Sequence, residues 1–221
     1  MSTSLELSTH AGVAASVASH PVMSVVRTAS REEAGRQARL FRAGGIQLIE
    51  VTFSVPDATE LVRQLLAERS GDGPPWIGMG TVTTGERARA ALAAGAELIV
   101  SPNVSAAVAE TARGAGRYLV LGALSATEIV IARELGSDLV KVYPLPPVGG
   151  PRYLATVRQP LDDIPMLAGG GFPVEEIPAY RAAGATAFGI GAPLLGADDA
   201  GTLERVGRAL RLARGEDSGG P

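Results

Sequence analysis

Only one lysine occurs among the 20 basic residues of this 221-residue chain, and it lies in an apolar run. Lys141 sits between two valines in LVKVYP (139–144). Burying an ammonium is costly unless it is paired or neutral, and a lysine with a depressed pKa is the nucleophile that Schiff-base chemistry needs. The bland alternative is a strand-end lysine that snorkels to solvent or pairs with Glu50. Glu50, in LIEVTF (48–53), is a second charge inside an apolar run. As a functional group it would carry protons to and from a carbinolamine and an enamine; as a structural group it would pair with Arg27 or Lys141. Thr81 follows the glycines of GMGTV (78–82), a setting that either lets backbone approach a ligand or simply makes a turn. The turns LAGGGFP (167–173) and GIGAPL (189–194) would expose backbone N–H groups at a helix start, as a phosphate cradle requires. Each is also readable as a tight turn with no ligand. VGGP (148–151) offers a third turn of this kind.

Composition removes several other chemistries. There is no Cys, which excludes disulfides, a thiolate nucleophile and Cys-ligated metal. The two histidines, His10 and His20, lie in an N-terminal segment of mostly Ser, Ala and Val, so a histidine triad or His-rich zinc site has no basis. No acidic DxD-type cluster accompanies the glycine turns, and no metal is expected. A net charge of -3 gives no basic face for nucleic acid or anionic membrane. No run approaches the roughly 20 apolar residues of a membrane span, and the first 20 residues lack the features of a signal peptide. A cytoplasmic location is the expectation.

The elements that must position these residues are legible from a repeating unit. A helical pattern ending in a small residue plus Gly, then a short apolar strand, recurs at 41–51, 93–102, 134–144 and 181–191. Glycine there supplies the left-handed helix end, and the apolar run reads as a strand buried on both faces. With WIGMG (76–80), RYLVLG (117–122), IPMLAGG (164–170) and a first strand at 21–26, eight strands are expected. Helices are expected over roughly 30–43, 57–69, 84–94, 104–114, 125–135, 150–158, 173–183 and 202–213. The pattern predicts an α/β protein, a single-domain (β/α)8 TIM barrel over 19–214, with mobile extensions at 1–18 and 215–221. A doubly wound sheet is the alternative, but RTASREEAG after the first strand has no GxGxxG turn. In such a barrel the strand C-termini carry the site, which brings forward Arg27, Glu50, Thr52, Thr81, Ser101, Asn103 and Lys141.

Taken in order, EVTF (50–53), GMGTV (78–82), VSPN (100–103), VKVYP (140–144), GGP (149–151), GGGF (169–172) and GIGAPL (189–194) resemble the KDPG aldolase family. These are class I, metal-independent aldolases of 2-keto-3-deoxy-6-phosphogluconate and related 2-keto acids. The resemblance spans about residues 21–195. It implies Lys141 as the Schiff-base lysine, Glu50 as general acid/base, and Thr81 and Arg27 as contacts of the pyruvyl portion. It further implies Gly170, Gly171, Gly191 and Ala192 at the phosphate, no cofactor beyond the lysine, a small-molecule 2-keto acid substrate and a homotrimer. Departures accompany it. Ser54 stands where members commonly carry Arg or Thr, Gly169 replaces the threonine of PTGG, Leu121 replaces the proline of a turn after strand 5, and Ala192 removes a possible hydroxyl. The related 2-keto-3-deoxy-6-phosphogalactonate aldolases also lack that Arg and use a TPN-like turn similar to VSPN.

The expected activity is cleavage of a 2-keto-3-deoxy sugar acid, 6-phosphorylated, to pyruvate and an aldehyde such as glyceraldehyde 3-phosphate. A 4-hydroxy-2-oxoglutarate type of substrate, a phosphate-binding isomerase using paired acids and bases, and a non-catalytic binding barrel are the rival readings.

Overall fold

The computed structural model describes the backbone of residues 2–216 and the side chains of residues 9–216. A first helix, α1 (Ser2–Ser19), is followed by β1 (Val22–Val26), α2 (Arg31–Ala43), β2 (Leu48–Thr52), α3 (Ala58–Ala67), β3 (Trp76–Gly80), α4 (Gly85–Ala93) and β4 (Leu98–Val100). The second half runs through α5 (Ala106–Gly114), β5 (Tyr118–Ala123), α6 (Ala126–Glu134), β6 (Leu139–Val142), α7 (Gly150–Arg158), β7 (Met166–Gly169), α8 (Ile177–Ala182), β8 (Ala187–Ile190) and α9 (Asp199–Arg214). All pairings are parallel, and β8 returns to β1 through Met23 opposite Gly189, closing the ring in sequence order. This is the expected (β/α)8 barrel, one domain, and the doubly wound alternative falls.

Local sequence explains where the helices start and stop. Ser30, Thr84, Ser105 and Ser125 each accept a hydrogen bond from the backbone N–H three residues on, and Glu128 completes a capping box with Ser125. At the other ends the recurrent glycines are left-handed, as at Gly95 (φ 88°) and Gly136 (φ 84°). The single helix expected over 173–183 is instead a 3-10 turn (Val174–Glu176) followed by α8, with Pro178 inside the first turn of α8.

The core has two layers. One set of strand residues, including Ile49, Val51, Val140 and Val142, packs outward against the helices. The alternate set, including Leu48, Leu98, Val120, Leu139 and Leu167, fills the lumen.

The expectation of a mobile extension at 1–18 is corrected. Residues 2–19 form α1, and Val13 and Val17 join the luminal cluster beside Trp76 and Tyr118. The two valines are four residues apart, so they share one helix face, which closes the N-terminal mouth of the barrel. Ser16 Oγ accepts from Trp76 Nε1 at 2.9 Å and donates to Gln47 Oε1 at 2.9 Å. His10 Nε2 lies 3.0 Å from Asp138 Oδ1. Small residues on the other face weaken the hydrophobic pattern, which is why the segment reads as an extension. At the far end Gly215 is the left-handed cap of α9; residues 217–221 of the expected tail lie outside the described residues.

Candidate active site

Strand parity places the two charged candidates inside the barrel. On β2, Ile49 and Val51 face the helices, so Leu48, Glu50 and Thr52 face the lumen; on β6, Val140 and Val142 face out and Lys141 faces in. In a ring of eight, β2 and β6 are diametrically opposite. The two long side chains therefore cross the lumen toward each other, and Lys141 Nζ donates to Glu50 Oε2 at 3.2 Å. Both are buried, with Glu50 1% and Lys141 8% exposed.

Glycines make this crossing possible. Gly80, beside Glu50 on β3, faces the lumen, and a Cβ there would overlap the Glu50 carboxylate. Gly169 on β7 stands against the Lys141 stem, where a Cβ would lie 3.3 Å from Cε. The departure at Gly169 therefore keeps a side chain from pressing on the lysine stem.

Above the pair opens a cavity of about 680 Å³ at the C-terminal ends of the strands. Its walls include all eight expected site residues: Lys141, Glu50, Thr81, Arg27, Gly170, Gly171, Gly191 and Ala192. Arg27 spans part of the mouth as a fork, with Nη1 donating to Ser54 Oγ and Nη2 to Thr81 Oγ1, both at 3.1 Å. Ser54 is in turn tied to Thr52 Oγ1 at 2.8 Å, and Thr52 donates to the Val26 carbonyl. Thr81 holds a left-handed backbone, φ 59°, uncommon for a β-branched residue and typical of strained functional positions. Gly170 (φ 136°) and Gly171 (φ 77°) use conformations that a larger residue would adopt only with strain.

Other expected participants lie elsewhere. Ser101 and Asn103 bond to each other and to Val104 in a local turn, and neither lines the cavity. The VGGP turn likewise contributes no wall; Gly149 and Gly150 lead into α7. Leu121, expected after strand 5, sits within β5 and faces the helices, so that departure does not reach the site.

Sequence reasoning missed four contributors. Tyr143 is two residues from Lys141, the spacing of one strand face, and its ring centroid is 5.8 Å from Nζ. Pro102 follows β4 directly and Gln37 enters from α2. Ser54 was visible only as a departure; its role as a partner of Arg27 depends on a contact across 27 residues of sequence.

Glu50 is the one carboxylate among the residues lining the cavity, and among the described residues no three acidic or histidine side chains converge to hold a metal. The arrangement can bring an amine, a carboxylate and an arginine fork to one small carbonyl compound.

The chain is similar to known proteins. The family model for KDPG and KHG aldolase matches residues 13–209. A 2-dehydro-3-deoxy-phosphogluconate aldolase of Treponema pallidum is 34% identical over 161 residues, 73% of this chain and 75% of its own. A solved structure described as native KDPGal superposes with a TM-score of 0.80 at 26% identity, covering 89% of this chain and 95% of that one. A cube-shaped protein cage designed by fusing symmetric oligomeric domains gives a TM-score of 0.79 at 26% identity, covering 89% of this chain and 73% of that one. With a lysine and a glutamate meeting inside the barrel and the model spanning nearly the whole chain, the protein belongs to the KDPG and KHG aldolase family.

Proposed function

We propose that this chain is a class I aldolase that cleaves a 2-keto-3-deoxy sugar acid, 6-phosphorylated, to pyruvate and an aldehyde such as glyceraldehyde 3-phosphate. The observation that carries the reading is the buried 3.2 Å contact between Lys141 Nζ and Glu50 Oε2 at the floor of the cavity.

In the forward direction the neutral Lys141 amine attacks C2 of the keto acid and forms a carbinolamine. Glu50 in its acid form gives a proton to the departing hydroxyl, water leaves, and a protonated imine remains. Glu50, now a carboxylate, takes the proton of the C4 hydroxyl. The C3–C4 bond breaks, its electron pair moves into an enamine with the imine nitrogen as the sink, and C4 departs as the aldehyde. Glu50 returns the proton to C3, and water hydrolyses the pyruvate imine to free the lysine. The imine itself supplies the electron sink, so the scheme uses neither a metal nor an organic cofactor.

Arg27 and Thr81 hold the carboxylate of the pyruvyl half, the guanidinium fork offering charge and geometry together. Backbone amides of Gly170, Gly171, Gly191 and Ala192 hold the phosphate at the other end. An isomerase using paired acids would need a second carboxylate, and the cavity walls supply only Glu50. A homotrimer is the assembly we favour, supported by the likeness to the oligomeric cage component; sedimentation equilibrium at three times the chain mass is the expected result. A cytoplasmic setting fits such a lyase.

Incubation with pyruvate and borohydride, followed by peptide mass spectrometry, tests the chemistry. The expected product is a carboxyethyl group on Lys141, with no adduct and no turnover in Lys141→Ala. An intact, folded protein that gives no adduct would refute the imine scheme.

A further inference from the structure

Gln37 is a polar side chain in the cavity wall that the chemistry above leaves without a task. It is 7% exposed and lies among the buried residues Ala34, Ala38 and Phe41 of α2. Its Nε2 donates to Glu33 Oε1 at 2.8 Å. Glu33 also accepts from Arg36 Nε at 2.8 Å and Nη2 at 2.9 Å, and Arg36 reaches on to Asp199 at the start of α9. The Arg36 hydrogen bond first, and that of Gln37 second, hold the Glu33 carboxyl down at about 2, so it is a carboxylate at neutral pH. A carboxylate only accepts, so Glu33 keeps the carboxamide nitrogen turned toward itself and the carbonyl oxygen turned away. No protein donor meets Gln37 Oε1 among the described residues, and the atom is not one of those sealed in the core without a partner. Because Gln37 lines the cavity, this oxygen is the acceptor that the residue has left to offer a ligand there.

Its position within the cavity follows from the packing of α2 against β1 and α9, while the turn Ala192–Leu194 also packs on β1. Gln37 lines the same cavity as Gly191, Ala192 and Pro193. The arginine fork leans the other way, toward Thr81 after β3. We propose that Gln37 is a specificity-determining residue whose carbonyl oxygen accepts a hydrogen bond from a hydroxyl of the aldehyde half, selecting hydroxyaldehydes over glyoxylate-like partners. This rests on the aldolase reading above.

The chemistry of the acceptor sets the direction of the preference. A carbonyl oxygen pairs with a hydroxyl and is repelled by the carboxylate of glyoxylate. An aldehyde lacking the hydroxyl leaves the oxygen desolvated and unpaired, which corresponds to about a 10- to 100-fold loss in kcat/KM.

The experiment measures condensation of pyruvate with glyceraldehyde, lactaldehyde, 3-hydroxypropanal and glyoxylate, using wild type, Gln37→Leu and Glu33→Gln. 3-Hydroxypropanal lacks the 2-hydroxyl of glyceraldehyde, the one that glyceraldehyde 3-phosphate leaves free, while lactaldehyde lacks the hydroxyl that carries the phosphate there. Wild type is expected to favour glyceraldehyde over 3-hydroxypropanal by about 10- to 100-fold. Gln37→Leu should bring that ratio near one. Glu33→Gln, which frees the carboxamide to rotate, should give an intermediate ratio. The borohydride adduct on Lys141 is read in the same samples and reports the pyruvate half separately. Wild-type ratios persisting in both variants, with adduct formed, would overturn the role of Gln37 and leave the imine chemistry standing. An absence of adduct in wild type would overturn the aldolase reading and this inference with it.

Discussion

Arg27 carries its charge over the cavity because two hydroxyls hold it there: Ser54 Oγ on one arm of the guanidinium and Thr81 Oγ1 on the other, each at 3.1 Å. Ser54→Ala removes one of these hydrogen bonds to a charged group that is partly solvent-exposed. The KM for the keto acid should rise about 3- to 10-fold, with kcat nearly unchanged, in steady-state kinetics. A KM equal to wild type would mean that Thr81 alone suffices. Glu50→Gln keeps the shape of the side chain but cannot accept the C4 hydroxyl proton. The expected loss is about 10²- to 10⁴-fold in kcat, with slower borohydride trapping on Lys141 because Glu50 also serves the dehydration step. Lys141 and Glu50 were legible because a charge inside an apolar strand is anomalous locally. Ser54 and Gln37 were not, since a hydroxyl in a turn and an amide on a helix acquire roles only from partners that folding brings near.

At the scale of elements, α1 shows where periodicity fails. The segment is built of Ser, Ala, Gly and Val, so its two anchoring valines do not stand out, yet it closes the barrel opposite the active site. Trp76 makes that closure specific by donating its ring N–H to Ser16. Ser16→Ala leaves a buried donor without a partner, at a cost of about 1–3 kcal/mol. The melting temperature should fall by about 5 °C in calorimetry, while the pyruvate adduct on Lys141 forms as in wild type, because Ser16 lies at the other mouth. The eight βα units, by contrast, were legible almost to their ends, since several helices start at a capping side chain or end at a left-handed glycine and the strands are short, largely apolar runs. Pro178 marks the local exception, where the expected seventh helix is divided.

For the molecule as a whole, surface carboxylates set the response to acid. Arg36 first and Gln37 next lower Glu33 to about 2, Arg39 lowers Glu68, the backbone N–H of Ser125 lowers Glu128, and Arg214 lowers Glu216. Each is depressed below its unfolded value near 4.5, so its contribution is complete above that pH and is lost as pH falls toward the folded value. Urea midpoints should hold steady above about pH 5 and decline below it, more gently in Glu33→Gln. The sequence by itself determined the units, their order and the presence of Lys141 and Glu50 as charges within apolar strands, because helix ends and strand runs are set by neighbours a few residues away. Only the tertiary structure decided that these two side chains meet, that Arg27 and Thr81 join the cavity they floor while Ser101 and Asn103 do not, and that α1 plugs the opposite end. Those outcomes depend on closing a ring of eight strands, which makes β2 and β6 face each other across one lumen, and no local pattern encodes that distance.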